Sequence, residues 1–197
     1  MLNLIIYFMR STSFILVILL VLVIIVVFVA IGAYNRLINL KNKVKEGKSD
    51  IDVQLKRRYD LIPNLVETVK GAANFESGTL EKVIQARNQA LAIGGVGPDK
   101  AEAENMLSGA LRQLFALSEN YPQLRGNESY MQLQEELVNT EDRILASRRF
   151  YNQVVADYNT VQDQFPTVLF KGLAAASPEP FFEIANQVER ENVKVQF

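Results

Sequence analysis

Cysteine and histidine are both absent from the 197-residue chain. Without thiols the chain forms no disulfide, and without thiols or imidazoles it lacks the ligands of structural zinc and the groups that many nucleophilic mechanisms need. Carboxylate-bridged di-iron bundles use Glu-x-x-His pairs, which this chain cannot supply. We therefore expect no metal and no cofactor, whereas the lack of cysteine fits either side of a membrane.

An excess of one charge sign is also missing, since 21 Lys and Arg stand against 22 Asp and Glu. Without a basic field the chain is not expected to bind nucleic acid. The stretch Gly94–Gly97 follows no strand pattern and precedes no Gly-Lys-Ser/Thr, so it is not a phosphate loop. Neighbouring acids such as Glu141 and Asp142 point to different sides of a helix, and the Ser-Gly pairs lack a partner base. The sequence therefore predicts a protein that is not an enzyme.

A long hydrophobic run, in contrast, is present at Phe14–Ala33, without charge, amide or proline. A helix of about 20 residues spans roughly 30 Å, the thickness of the hydrocarbon core of a bilayer. We predict a transmembrane helix over residues 14–33, after a short segment over residues 1–13 that lies at the interface or extends the helix. A cleaved signal peptide is one alternative, but its apolar core is only about 7–15 residues long. A buried core helix is another, although uncharged runs of this length are rare in soluble proteins.

The charges that flank the hydrophobic run are asymmetric. Arg10 alone precedes it, whereas five membrane-proximal cations follow it: Arg36, Lys41, Lys43, Lys45 and Lys48. An excess of Lys and Arg marks the cytoplasmic side of a membrane. We therefore predict the amino terminus outside and the rest of the chain in the cytoplasm, where these cations attract anionic headgroups of the lipid bilayer.

Apolar residues recur at spacings of three and four through most of the remaining chain, which is typical of amphipathic helices. The predicted helices are Tyr34–Lys70, Thr79–Ile93, Lys100–Glu119 and a heptad seam that follows a cap at Asn127 and ends near Phe165. Pro63 is expected to kink the first helix without ending it, and Asp99 to cap the third. Since no strand pattern occurs, we predict an all-α fold, with an elongated antiparallel four-helix bundle over residues 34–170. A tail over residues 171–197 follows, with a short helix at Phe181–Glu189.

The string Arg57–Val66, RRYDLIPNLV, resembles the signature of the LemA family of bacterial membrane proteins. Further similar positions are Leu80–Val83, Ala86-Arg87, Tyr121–Leu124, Glu141, Arg148, Tyr151-Asn152, Tyr158-Asn159, Phe165-Pro166 and Val195–Phe197. The resemblance extends from about residue 34 to residue 197. It implies a single anchor in the bacterial inner (plasma) membrane, a bromodomain-like four-helix bundle and no established enzymatic activity.

Several polar residues of these motifs are unusual for a helix pair. The candidate structural or interaction residues are Arg57, Arg58, Asp60, Pro63, Asn64, Glu141, Arg148, Tyr151 and Asn152. Glu141 and Arg148 are seven apart and therefore share one flank of the heptad seam. We expect a partly buried network between the two long helices, in which Arg148 meets Asp60 or Glu141. The alternative is that these charges form a solvated face.

Four aromatic residues, Tyr130, Tyr151, Tyr158 and Phe165, follow the heptad seam. An aromatic stripe at helical spacing is more often core than a ligand groove, so we expect these side chains in the core.

A membrane anchor joined to a helical bundle without a catalytic constellation favours a scaffold or adaptor. Such a protein self-associates as a homo-oligomer or binds another membrane protein. Two other functions remain open at this point. One is an accessory subunit of a membrane enzyme such as a protease complex, and the other is a membrane-shaping protein that binds anionic lipid. A soluble periplasmic protein would result if the hydrophobic run were cleaved.

Overall fold

The computed structural model describes residues 2–71 and 76–183, with side chains from Phe14 onward. Its elements are α1 (Leu2–Lys70), α2 (Ser77–Ala92), α3 (Pro98–Ser118), α4 (Pro122–Arg125), α5 (Glu128–Asp163) and a 3-10 turn at Thr167–Phe170. No strand occurs within those described ranges. The predicted all-α fold with one long apolar N-terminal helix is confirmed, while the antiparallel four-helix arrangement stays a prediction.

The hydrophobic run lies within α1, the longest element. In the described part of the chain it forms the one helix that is long and apolar enough to cross a membrane. None of its most apolar 18-residue window is buried, although the core helix of a soluble protein would bury such residues. The structure therefore does not fit the core-helix alternative. The backbone of residues 2–13 continues the same helix.

The chain forms two compact units, and α1 and α5 each contribute to both. The first unit is built from the residues up to Lys43 and from Ala156–Pro178. The second unit is built from Val44–Val155 and from the residues after Pro178.

Apolar side chains fill the interior of each unit, and their removal from water is the main force that stabilises it. In the first unit they include Ala33, Leu37, Tyr158, Val161 and Ala174. In the second unit they come from α1, α2, α3 and α5 and include Ile51, Leu55, Ile62, Leu65, Val69, Leu80, Val83, Ala101, Leu107, Leu114, Tyr130, Leu137, Ile144 and Tyr151. The apolar spacing read from the sequence therefore corresponds to buried faces of these helices.

Two predicted helix caps have different outcomes. The backbone N–H of Tyr130 donates to Asn127 Oδ1 at 3.2 Å, which confirms the cap before α5. The predicted Asp99 cap is wrong, because α3 begins at Pro98, two residues before the predicted start, with Gly97 as its N-cap and no side-chain cap hydrogen bond. Pro98 occupies the first turn, where its missing N–H costs nothing and its fixed φ suits a helix.

Gly47 lies at a close approach of α1 and α5 in the second unit. A Cβ atom at this position would lie 3.3 Å from the Cα of Tyr151 and 3.4 Å from a ring carbon of Phe150. Both distances are short for carbon–carbon contacts, so the absence of a side chain lets the two helix backbones pack closely.

Phe165, the last residue of the predicted aromatic stripe, lies outside the core. Tyr130, Tyr151 and Tyr158 are buried as expected, whereas Phe165 is 80% exposed, so its predicted core position is wrong. Helical spacing no longer applies to Phe165, because α5 ends at Asp163. The predicted helix at Phe181–Glu189 lies mostly outside the described residues, and the chain up to Glu183 is irregular there.

Candidate functional site: a buried charge cluster

A fully buried arginine lies at the centre of the second unit. Arg58 of α1 is 1% exposed, and its guanidinium donates to the carboxylates of Glu104 in α3 and Glu141 in α5. Arg58 Nη1 also donates to Ser108 Oγ at 2.8 Å. Removing charges from water costs several kcal/mol per ion, so burial of Arg58 requires these partners. Arg58 therefore connects three helices that are distant in sequence.

Lys100 adds a second cation to the same place. Its Nζ lies 3.0 Å from Glu104 Oε1 and donates to Tyr59 Oη at 2.9 Å and to the Ala90 carbonyl at 2.7 Å. The carbonyls in the last turn of α2 lack helical donors and carry partial negative charge, which favours a cation there. The buried charge cluster thus consists of Arg58, Tyr59, Lys100, Glu104, Ser108 and Glu141.

Tyr59 takes part in this cluster as a neutral phenol. Its hydroxyl donates to Glu104, which is 1% exposed. Burial raises the pKa of Tyr59, and the hydrogen bond and negative charge of Glu104 raise it further. The phenol therefore keeps its proton at neutral pH and acts as a donor rather than as a base.

Glu141 lies at the edge of the cluster, where about a third of its side chain is exposed (32%). Ser108 Oγ lies 2.7 Å from Glu141 Oε1. Outside this edge, α3 and α5 border a cavity of about 400 Å³ whose lining includes Leu111, Leu145 and Arg148. Glu141 is therefore the one carboxylate of the cluster that solvent reaches.

Arg148 borders the same cavity with different partners. Its Nη1 donates to Asn105 Oδ1 at 3.0 Å, and its guanidinium lies 4.6 Å from the centre of the Phe182 ring. Burial lowers the pKa of Arg148, and the negative charge of Glu141 opposes this shift. Asn152 holds Phe182 in place, because Asn152 Oδ1 accepts the Phe182 backbone N–H at 2.8 Å.

Pro63 creates a second polar contact between helices. Because proline has no N–H, the carbonyl of Tyr59, four residues earlier, loses its usual helical donor. Arg87 of α2 supplies a replacement, with its Nε donating to the Tyr59 oxygen at 2.9 Å. α1 continues through Pro63 to Lys70, so the prediction that the proline does not end the helix is confirmed.

The structure brings together only some of the residues predicted for the network. Arg58 and Glu141 meet in the buried charge cluster, whereas Arg148 uses Asn105. The remaining predicted residues lie outside the cluster. Arg57 pairs with Glu136, and Asp60 pairs with Lys56 at 2.7 Å. Pro63 and Asn64 are exposed, and Tyr151 donates to the Pro180 carbonyl at 2.9 Å. The expected pairing of Arg148 with Asp60 is wrong, because Asp60 faces solvent on α1. The solvated-face alternative fits Asp60, whereas the half-exposed Arg57 joins α1 to Glu136 of α5.

Lys100, Glu104 and Ser108 were missed by the sequence reasoning, although a signal for two of them exists. Lys100 and Glu104 precede Leu107, Leu111 and Leu114 at spacings of four and three, which places both charges on the buried stripe of α3. Within the described residues, no group of three or more Asp and Glu is arranged to hold a metal ion.

The membrane-proximal cations divide by their contacts. Lys41 Nζ donates to the carbonyls of Ala174 and Ala175 at 3.1 and 3.0 Å. Arg36 and Lys43 line a cavity of about 570 Å³ in the first unit. Lys45 and Lys48 are exposed.

The chain is similar in sequence to curated bacterial proteins. Protein LemA of Metamycoplasma hominis is 30% identical over 139 residues, which cover 68% of this chain and 61% of that protein. Magnetosome protein MamQ of Magnetospirillum gryphiswaldense and Magnetosome protein MamQ 2 of Paramagnetospirillum magneticum are each 23% identical over 158 residues, covering 68% of this chain and 58% of theirs. The chain thus spans about three fifths of the length of the curated relatives it matches.

A sequence model of the LemA family matches residues 47–197, which include the Arg57–Val66 string, the cluster residues of α3 and the whole of α5. The chain belongs to the LemA family.

Proposed function

We propose that this protein is a single-pass protein of the bacterial inner membrane with its amino terminus outside and its helical domain in the cytoplasm. There it acts as a non-enzymatic scaffold or adaptor and self-associates. One helix suited to cross a membrane and the cations that follow it support the topology. MamQ is named for the magnetosome rather than for a reaction, which supports a non-enzymatic role.

The observation that carries this proposal is that the charged groups of the buried charge cluster are paired with one another. A general acid or base needs contact with substrate and a pKa near the working pH. Arg58 and Glu104 are each 1% exposed, and the pKa of Tyr59 is raised further from neutrality. Oppositely charged side chains from α1, α3 and α5 instead fix the register of these helices, which is the best-attested role of buried ion pairs. This arrangement suits a rigid binding module.

An exposed stripe on α5 supports self-association. Met131, Val138 and Leu145 are 47%, 49% and 40% exposed and follow one another at seven-residue spacing. Residues seven apart lie on one side of a helix, which is the spacing that helices use to pack against one another. Val138 and Leu145 also line the 400 Å³ cavity between α3 and α5.

The charges around this stripe favour a second copy of the chain as the partner. The cavity lining includes Glu141 and Asp142 as well as Arg112 and Arg148. In a two-fold symmetric dimer the same surface is used twice, so a surface with both charge signs can complement itself.

Disulfide crosslinking of the full chain in native membranes tests the proposal. Because the chain has no cysteine, Leu145→Cys introduces a single thiol, and Val53→Cys is the matched control at an exposed site of α1 in the same unit. We expect mild oxidation to give a dimer with Leu145→Cys but not with Val53→Cys. A monomer with both variants, or equal dimer with both, would contradict self-association through this stripe. Crosslinking of Leu145→Cys to a different chain would instead support an accessory subunit.

A further inference from the structure

The most exposed apolar side chains beyond the hydrophobic run lie in one short segment. Among the described residues after Tyr34, Phe165 is 80% exposed, Leu173 76% and Leu169 68%, whereas Val53 comes next at 59%. We call residues 165–173 the apolar loop. Single exposed apolar residues are common on soluble proteins, but several on one loop mark an interaction surface.

The apolar loop belongs to the same compact unit as the segment of α1 that follows the hydrophobic run. Gln164, directly before the loop, lines one cavity with Gly32, near the end of the run. Directly after the loop, the carbonyls of Ala174 and Ala175 accept hydrogen bonds from Lys41. Both ends of the loop are therefore held beside the part of α1 that leaves residues 14–33.

Internal hydrogen bonds order the loop and pair its backbone groups. The backbone N–H of Val168 donates to Gln164 at 2.8 Å, and that of Ala174 donates to Phe170 at 2.9 Å. Lys171 Nζ pairs with Asp163 at 2.8 Å. Because unpaired backbone groups are costly in lipid, a loop with this internal pairing is suited to contact it.

The charge around the loop has the sign that a bacterial membrane surface attracts. Between Gln164 and Ser177 the one charged residue is Lys171, which pairs with Asp163 just before this interval. Over segments 34–43 and 156–178 of this unit, the four cations Arg36, Lys41, Lys43 and Lys171 still outnumber the two acids Asp157 and Asp163. Arg36 and Lys43 line the neighbouring cavity together with one acid, Asp157. Apolar side chains flanked by cations are the combination that binds the boundary between headgroups and acyl chains.

We propose that the apolar loop inserts Phe165, Leu169 and Leu173 into this boundary of the bilayer. The loop gives the protein a second membrane contact beside its transmembrane helix. The inference rests on the proposed membrane span of residues 14–33 and is independent of self-association.

Single-cysteine labelling tests this insertion in the full chain. Leu169→Cys and Leu173→Cys carry an environment-sensitive fluorophore in vesicles of phosphatidylcholine and phosphatidylglycerol. Val53→Cys is the exposed control, and Val21→Cys is the reference inside the hydrophobic run. We expect acyl-chain-brominated lipid to quench the labels at positions 169 and 173, and iodide to quench them about fivefold less than the label at position 53.

The same four variants separate the outcomes. If brominated lipid quenches the label at position 21 but not those at 169 and 173, the loop proposal is overturned and the membrane span stands. If the label at position 21 also escapes quenching, the span itself is wrong. A measurement at one copy per vesicle tests whether a second protein copy, rather than lipid, shields the labels from iodide. Shielding that vanishes on dilution would overturn the proposal. Helix content by circular dichroism verifies that each variant folds.

Discussion

The two compact units differ in where they place charged and apolar side chains. The second unit encloses Arg58, Lys100 and Glu104 in its interior. The first unit buries no Asp, Glu, Lys or Arg side chain among its described residues, and it exposes Leu169 and Leu173 instead. A buried charge is tolerated only beside specific partners, so it selects one packing of the helices. Several exposed apolar side chains on one loop do not fix a packing but mark a surface for an interaction.

Loss of one carboxylate from the buried charge cluster should give the largest effect. Glu104→Ala leaves Arg58 and Lys100 without their shared partner and should lower the free energy of unfolding by about 3–5 kcal/mol. Urea unfolding of the full chain in detergent, followed by circular dichroism, measures this change. The control is Asp60→Ala, which removes the exposed pair with Lys56 and should cost at most about 1 kcal/mol. Equal losses in the two variants would contradict a structural role of burial.

The stability of the protein at alkaline pH tests the burial of Tyr151 in the second unit. Burial raises the pKa of Tyr151 from 10.0 to about 12, with a further contribution from the charge of Glu179. Because the folded state favours the neutral phenol, this stabilisation is present below pH 10 and is lost as pH rises towards 12. The free energy of unfolding should therefore fall over this interval, by about 2 kcal/mol more in the wild type than in Tyr151→Phe. Parallel pH profiles of the two proteins would contradict the raised pKa.

The contact between Arg87 and the Tyr59 carbonyl predicts an effect that depends on Pro63. Arg87→Ala leaves that carbonyl without a donor and should cost about 1–2 kcal/mol of unfolding free energy. In a Pro63→Ala background the backbone N–H of residue 63 can donate to the same oxygen, so Arg87→Ala should cost less. A double-mutant cycle by urea unfolding measures the coupling. Additive losses would show that the proline does not create the need for Arg87.

The smallest effect is expected from a substitution of Lys41 in the first unit, which should change hydrogen exchange only near its contacts. Lys41→Met removes both hydrogen bonds to the residues that follow the apolar loop. Amide hydrogen exchange of residues 167–176 should become about tenfold faster, with little change in α3, because such openings involve only part of a structure. Lys45→Met, at an exposed position, is the control and should leave the exchange of this segment unchanged. Faster exchange throughout α3 would contradict a local role.

Structural features that depend on neighbouring residues could be predicted from the sequence. The absence of polar groups from Phe14–Ala33 predicted the apolar helix, and the side chain of Asn127 predicted a cap. The spacing of apolar residues identified buried faces of α1 and α5. These features depend on residues within a few turns of one another, so a single sequence carries them.

Partners across the fold were harder to predict. Glu141 lies 83 residues from Arg58, and helical spacing states which face it occupies but not which cation it meets. The expected partner was Arg148 because it shares the same flank of α5, whereas α3 brings Glu104 and Ser108 to Arg58. Phe165 was misplaced for a related reason, because the stripe was continued past the end of α5.

The replacement of one backbone hydrogen bond by Arg87 has an evolutionary consequence. A change of Pro63 to any other residue restores the local donor, and selection to keep arginine at position 87 is then relaxed. Across relatives, we expect these two positions to vary together, with proline in α1 accompanied by arginine in α2. An aligned set of sequences in which the two positions change independently would show that the arginine is retained for another purpose.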